Sequence, residues 1–172
     1  MRKSAIWAPV GCCVLAAAAM LFAQANRKPG LYDVTATMTW QQSPLPPGVQ
    51  MPAGANNPFS GAPHTSQVCV TQEMIDRFGG PVPQSARGDC QVKNQNMTAT
   101  GMTADYVCTG QMSGTGKLEG TWGEGGMSHS KVHFTGTMAM GQRSTPIEWT
   151  MDTTSTFKGS DCGSVKPMAL PK

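Results

Sequence analysis

Four cysteines in the body of the chain most limit what it can fold into. Cys90 and Cys108 stand at the outer ends of residues 89–109, a segment that alternates like two short strands joined by a turn. Cys69 precedes this hairpin and Cys162 follows it. An even number of cysteines without a Cys-x-x-Cys pair favours two disulfides over a metal site. The hairpin is therefore expected to be the centre of a small, disulfide-bonded β domain.

The four cysteines can pair in three ways. Pairing Cys69 with Cys90 would close a loop of about 21 residues, and pairing Cys108 with Cys162 would tie the hairpin to the C-terminus. In the chain-entropy model these two bonds contribute roughly 3 and roughly 4 kcal/mol. This pairing is the preferred one. The alternative joins Cys90 to Cys108 across the hairpin and leaves Cys69 for Cys162.

The N-terminus has the three parts of a secretory signal peptide. Residues 2–3 are basic, residues 6–22 form an apolar run, and residues 23–25 are a small-x-small cleavage site. Removal of residues 1–25 would leave a mature chain that begins at Asn26. Two weaker alternatives are a lipoprotein signal at the Gly-Cys pair within the run and retention of the run as a membrane anchor. The run of about 17 residues is at the lower limit for a span.

The mature chain of about 147 residues is long enough for one domain. Two of the 13 basic residues lie in the expected signal peptide, so the mature chain has 11 basic and 10 acidic residues. The basic residues do not form a cluster. This balance argues against nucleic-acid binding. We expect a periplasmic or secreted protein with no membrane span after cleavage and no cofactor. The expected organisation is a single β domain over 26–165, a Pro/Gly-rich loop at 41–63 and a frayed tail at 166–172.

Alternation of apolar and polar residues predicts short strands, because side chains of a strand point to opposite faces in turn. Thr71 as an N-cap and Gly79 as a stop signal predict one short helix near 71–78. The predicted fold class is mainly β: an antiparallel meander of about seven to eight strands, curled or barrel-like, with this helix and two disulfides. Besides the hairpin, strands are expected at 31–40, 66–70, 117–122, 129–140 and 147–157.

Several short motifs, in their order along the chain, resemble a known family. Residues 28–35, Lys-Pro-Gly-Leu-Tyr-Asp-Val-Thr, are similar to the KPGLWEVT opening of the exported bacterial family known as domain of unknown function 3617. Cys69-Val70-Thr71 before a helix, Asp89-Cys90, Val107-Cys108 and Gly159-Ser160-Asp161-Cys162 resemble its further landmarks. The resemblance covers nearly the whole mature chain. It implies an exported β fold and no particular activity, because the family has no activity assigned.

Catalytic motifs are absent from the sequence. The only histidines are His64, His129 and His133, and no Gly-x-Ser-x-Gly or His-Glu-x-x-His motif is present. The Gly-rich segments 114–116 and 123–126 resemble strand turns more than phosphate-binding loops, because no predicted helix follows either. We therefore expect a protein that is not an enzyme and assign no catalytic residue.

The apolar face of the predicted sheet is the main candidate binding site. A curled sheet could enclose a small apolar ligand or lipid chain, although the same residues could simply fill the core. The alternative, from a different class, is a structural or interaction module whose sheet edge or Thr-rich outer face meets another envelope protein. The expected ligand-lining residues are Trp40, Tyr106, Trp122, Phe134, Met138, Met140, Trp149 and Met151.

Methionine thioethers suggest a third, less favoured candidate, because soft sulfur ligands bind Cu(I). The mature chain carries 11 of the 13 methionines. Met138 and Met140 share a face, and Met151 is expected on the neighbouring strand. As flexible apolar residues they could equally be core filling. His129 and His133 would lie about 13 Å apart along a strand, at roughly 3.3 Å per residue, which is too far to bind one ion.

Overall fold

The computed structural model describes residues 27–45, 61–81 and 89–167. The expected signal peptide, most of the 41–63 loop and the end of the tail lie outside these residues. The elements, in chain order, are β1 (Gly30–Gln42), β2 (His64–Val70), α1 (Gln72–Phe78), β3 (Cys90–Met97), β4 (Gly101–Cys108), β5 (Met112–Trp122), a 3-10 turn (Glu124–Gly126), β6 (Ser128–Met140) and β7 (Arg143–Gly159).

All seven strands belong to one antiparallel sheet in the order β2-β1-β7-β6-β5-β4-β3. Strands β3 to β7 follow one another as hairpins. The first strand instead pairs with the last, with Trp40 opposite Trp149 and Tyr32 opposite Phe157. The predicted antiparallel meander of about seven to eight strands is confirmed. The sheet does not close into a barrel, because β2 and β3 remain as two separate edges.

One face of the sheet carries the apolar core. In β7, Ile147 and Trp149 are buried, whereas the intervening Glu148 belongs to the opposite face and pairs with His133. In β6, Val132 and Phe134 are buried in the same alternation. This period of two explains why the alternating sequence folds as strands that bury one face only.

Glycines allow a close backbone approach between β5 and β6. Gly114 and Gly136 are opposite each other in the ladder, and Gly114 has a φ of 154°. A Cβ at Gly114 would collide with the carbonyl oxygen of Thr135, and one at Gly136 with that of Ser113. The Phe134 ring lies 2.9 Å from both Cβ positions. Only glycine permits this close approach, and the aromatic ring covers the backbone there.

The helix α1 forms as its capping residues predict. The Thr71 hydroxyl accepts a hydrogen bond from the Met74 backbone N–H at 3.2 Å. Gly79 ends the helix with a left-handed φ of 77°. Met74 and Ile75 are buried against the β1 and β2 end of the apolar face, in a cluster with Tyr32. The helix therefore covers the part of the core nearest the β2 edge.

The preferred disulfide pairing was wrong, and the alternative is the one present. Cys69 is bonded to Cys162, and Cys90 to Cys108. Cys90 and Cys108 stand directly opposite each other in the β3–β4 ladder, with their Cα atoms 3.9 Å apart. A bond from Cys69 to Cys90 would have to join the two opposite edges of the seven-stranded sheet. Bonded cysteines need Cα atoms within about 7 Å of each other.

Candidate functional site

Most of the expected ligand-lining residues pack tightly against one another. Phe134 and Trp149 are stacked, with ring centroids 5.1 Å apart, and Tyr106 meets them edge-on at 6.2 and 6.3 Å. Tyr106 and Trp149 lie three strands apart, a span of about 14 Å in a flat sheet, so the sheet is curved around these rings. The rings occupy the concavity. Trp40, Trp122, Met138 and Met151 pack around this cluster, whereas Met140 lies outside it and is 44% exposed.

A small cleft lies where the helix end meets the sheet. Its volume is about 30 Å³, and its lining includes Phe78 and Pro81 from the helix side and Leu118, Trp122 and Ser155 from the sheet. This volume accommodates a water molecule or two. Sites for drug-sized ligands have volumes of roughly 300–1,000 Å³. The described residues therefore give no support to the hypothesis that the sheet encloses a lipid or a comparable apolar ligand.

A partly buried cation, Arg27, lies against Trp122, which lines this cleft. The Arg27 guanidinium carbon is 4.8 Å from the centroid of the Trp122 ring, a cation–π contact. Burial lowers the pKa of Arg27, and the nearby Asp76 carboxylate opposes that shift. Gly79 allows this packing, because a side chain there would collide with the Trp122 indole. The contact places Arg27 against the last residue of β5, next to the end of α1.

The methionines of the apolar face form cross-strand pairs, but they are not the pairs expected from the sequence. Met151 is opposite Met38 on one side and Val132 on the other, well away from the end of β6. The residue opposite Met138 is Met112. Sequence reasoning missed Met112 because it began the strand at Lys117. The available signal was an alternation that starts at Met112 and continues to Leu118, which places both residues on the same face of the strand.

The outer face of the sheet carries polar contacts between side chains of neighbouring strands. His133 Nε2 lies 2.9 Å from Glu148 Oε1, and Asp152 lies 3.6 Å from His129 and 3.5 Å from Lys131. All of these side chains are substantially exposed. Within residues 27–45, 61–81 and 89–167, no three His, Cys, Asp or Glu side chains are close enough to hold a metal ion. No arrangement of these groups identifies a reaction.

The edge at β2 is regular and uncharged. It pairs with β1 over seven consecutive residues, from Gly30 opposite Val70 to Ala36 opposite His64, without a bulge. None of its residues is Lys, Arg, Asp or Glu, and residues 64–67 are exposed. A parallel bridge from Pro167 to Cys69 covers the far end of its outer side. In the part of the chain that the structure describes, no strand lies beside the outer side of residues 64–68.

The edge at β3 is irregular. Its ladder with β4 shifts register between Lys93 and Asn96, and Asn94 adopts a left-handed φ of 49°. The Gln95 side chain donates a hydrogen bond to the Arg77 carbonyl oxygen at the end of α1, at 2.8 Å. A bulge, a lysine and a covering contact are the devices by which proteins prevent unwanted strand pairing. The two edges therefore differ in their capacity to accept another strand.

Fold and surface together define a disulfide-bonded protein built on one curved β-sheet, and the residues that the structure describes form no recognisable reaction centre. A family model described as protein of unknown function (DUF3617) matches residues 27–162, so the chain belongs to this family. The resemblance inferred from the sequence motifs is confirmed. No curated protein and no solved structure matches the chain significantly. Among the described residues, no helix reaches the length and apolar character needed to cross a bilayer.

Proposed function

We propose that this protein is a non-catalytic binding module that holds a partner protein by adding an extended segment of that partner to the β2 edge. The observation that carries the proposal is the uncharged, unbulged seven-residue strand His64–Val70 at the border of the sheet. An exposed edge of this kind presents unpaired backbone N–H and C=O groups to another chain. Strand addition to such an edge is a recurrent mode of peptide recognition.

The docking surface extends over residues 64–68. It ends at Cys69, where Pro167 bridges the strand and the bond to Cys162 ties the tail in place. On the outer face, Thr65 shares a hydrogen bond of 2.8 Å with Thr35. On the inner face, Val68 packs against the cluster around Tyr32.

The partner segment should match these two faces. A strand beside β2 would place alternate side chains next to Thr65 and Gln67 on the outer face, and next to Ser66 and Val68 on the inner face. The Gln67 amide donates a hydrogen bond to Asp33 at 3.3 Å, and Lys158 lies 3.4 Å from the same carboxylate. We therefore expect an uncharged segment with polar residues on one face and small apolar residues on the other.

The proposed compartment is the bacterial periplasm or the cell exterior. Two disulfides are compatible with an extracellular protein, because such bonds persist where the environment is oxidising. The composition of residues 1–25, with its basic start, apolar run and small-residue end, supports export through a cleaved signal peptide. A partner would then be another protein of the cell envelope.

The first test uses a synthetic seven-residue peptide that alternates threonine with valine, the uncharged pattern expected of the partner segment. The matched control is the same peptide N-methylated at alternate residues, which removes backbone donors along one side. We expect only the unmodified peptide to bind and to slow amide hydrogen exchange at residues 64–68. The protein variant Ser66→Lys, which places a charge on the inner side of the edge, should abolish binding. Gln91→Lys, an equally exposed change on β3, should leave it intact.

Three outcomes would contradict the proposal. Equal binding of the N-methylated peptide would exclude backbone pairing, and protection of β3 amides would assign the interaction to the other edge. Dimerisation of the protein at high concentration that Ser66→Lys abolishes would assign the edge to a second copy of the chain. Analytical ultracentrifugation of the wild type and Ser66→Lys measures this third outcome.

A further inference from the structure

Three methionines lie together at one end of the apolar face, remote from the β2 edge. Met112 in β5 is directly opposite Met138 in β6, and Met140 follows on the same side of β6. Met112 and Met138 are partly buried against the core, and Met140 is 44% exposed. The three side chains therefore form a patch, the methionine rim, with a dry side toward the core and an open side toward solvent.

The spacing within the methionine rim permits three sulfurs to meet. Opposite residues on one face of an antiparallel pair have Cβ atoms about 5 Å apart, and diagonal neighbours lie about 7 Å apart. Residues two positions apart on a strand are about 6.7 Å apart. Each methionine has three rotatable bonds and adapts its sulfur position to what it contacts. One small ion between the three side chains is within reach of all of them.

The backbone holds the two strands together at this point. The Ala139 N–H donates a hydrogen bond to the Gln111 carbonyl oxygen at 2.7 Å. The Gln111 side chain donates in return to the Ala139 carbonyl oxygen at 3.3 Å. These residues flank Met112 on one strand and separate Met138 from Met140 on the other. The relative positions of the three methionines are therefore fixed by the ladder and do not depend on a loop.

From this arrangement we propose that Met112, Met138 and Met140 form a binding site for a soft monovalent cation, Cu(I) or its analogue Ag(I). Thioether sulfur selects Cu(I) over harder metals. The cysteines at positions 69, 90, 108 and 162 are bonded in disulfides and do not compete as thiolate ligands. The exposed Arg143 stands opposite Met140 on β7, on the other side of β6 from Met112.

The other methionine pairs provide internal controls. Met38 is opposite Met151, and Met97 is opposite Met102, but a third methionine does not extend either pair along its strand. Met127 is 56% exposed and lies in the turn before β6, so it matches Met140 in exposure without any thioether neighbour in the ladder. A site formed by convergence of three sulfurs should respond to changes in the methionine rim and ignore changes at Met127 and Met151.

The experiment titrates the disulfide-bonded protein, labelled with 13C at its methionine methyl groups, with Ag(I) and with Cu(I) under anaerobic conditions against a competing chelator. We expect one equivalent to bind and only the methyl resonances of the methionine rim to shift. Each of Met112→Leu, Met138→Leu and Met140→Leu, which preserve side-chain volume, should weaken binding by at least about tenfold. Met127→Leu and Met151→Leu should leave the affinity unchanged.

The proposal is overturned by a dissociation constant weaker than about 1 μM for both ions. It is equally overturned if the shifted methyl groups belong to Met38 and Met151 or to Met97 and Met102. Equal losses of affinity in Met127→Leu and Met140→Leu would mean that exposed sulfur alone binds the metal. Circular dichroism of every variant checks that the fold is retained, so that a loss of binding is not a loss of structure.

Discussion

The two edge strands of the sheet, β2 and β3, are both short, but only β2 has a regular backbone along its length. The β3 edge carries a register shift, a left-handed Asn94 and a contact from Gln95 to α1. Among the described residues, the β2 edge has none of these features, and β2 itself contains no charged residue. Exposed edges favour aggregation unless they are blocked. A chain that blocks one edge and leaves the other regular has a structural reason to pair through the second, and this asymmetry supports the proposed function.

The largest expected effect comes from removing the disulfide at each edge in turn. The bond Cys69–Cys162 spans 93 residues and Cys90–Cys108 spans 18. In the chain-entropy model they contribute about 4–5 and about 3 kcal/mol to the free energy of unfolding. We expect the Cys69→Ala/Cys162→Ala double variant to lose more stability in urea unfolding than Cys90→Ala/Cys108→Ala. An equal loss, or the reverse order, would show that local strain or residual structure in the unfolded chain outweighs loop length.

An intermediate effect is expected at the bulge that blocks β3. Asn94 has a φ of 49°, a conformation that β-branched residues adopt only at a cost. We expect Asn94→Val to lose about 1–2 kcal/mol of unfolding free energy. Asn94→Gly also loses the hydrogen bond of 2.6 Å to Asp105 and gains entropy in the unfolded chain, but it keeps the left-handed conformation accessible, so we expect a smaller loss. If both variants unfold at the same urea concentration, the left-handed backbone is not what holds the bulge.

The smallest effect concerns the charge beneath that bulge. Hydrogen bonds from Lys117 and then from Asn94 hold the pKa of Asp105 below its ordinary value of 3.8. The pKa of Asp105 is lower in the folded state than in the unfolded state. The ionised carboxylate therefore stabilises the fold fully above the unfolded-state pKa, and this contribution is lost as the pH falls through the folded-state pKa. We expect Lys117→Met to raise the pKa of Asp105, measured by carboxyl 13C titration. Lys131→Met, which removes the partner of Asp152 instead, should leave it unchanged.

Local patterns in the sequence were enough to predict the elements. Alternation predicted the buried faces of β6 and β7, and the capping residues Thr71 and Gly79 predicted α1. The predicted strands were too short where glycine interrupts the alternation, as at Gly114. Glycine has no side chain, so it does not show which face of the strand it belongs to. The alternation also continues through the polar residues of β7. This strand extends to Gly159 because it pairs with β1 up to that residue.

Long-range relations were beyond the sequence. Which strands become edges depends on β1 pairing with β7, more than 100 residues away, and no local signal encodes that choice. The error in disulfide pairing had the same origin. Cys69 and Cys90 are close in sequence, but five strands separate β2 from β3 in the sheet. The composition of the methionine rim likewise depends on the β5–β6 register, which places Met112 opposite Met138.

The pairing of the first strand with the last also sets an order of assembly. The hairpins from β3 to β6 have local contacts and can form early, whereas the ladder between β1 and β7 needs residues up to Gly159. The Cys90–Cys108 bond can therefore close early. Cys69 stays a reactive thiol until Cys162 arrives, and during that interval it can attack the bond already made. We therefore expect the native pairing to form in higher yield where thiol–disulfide exchange can undo a wrong cross-link as well as form a right one.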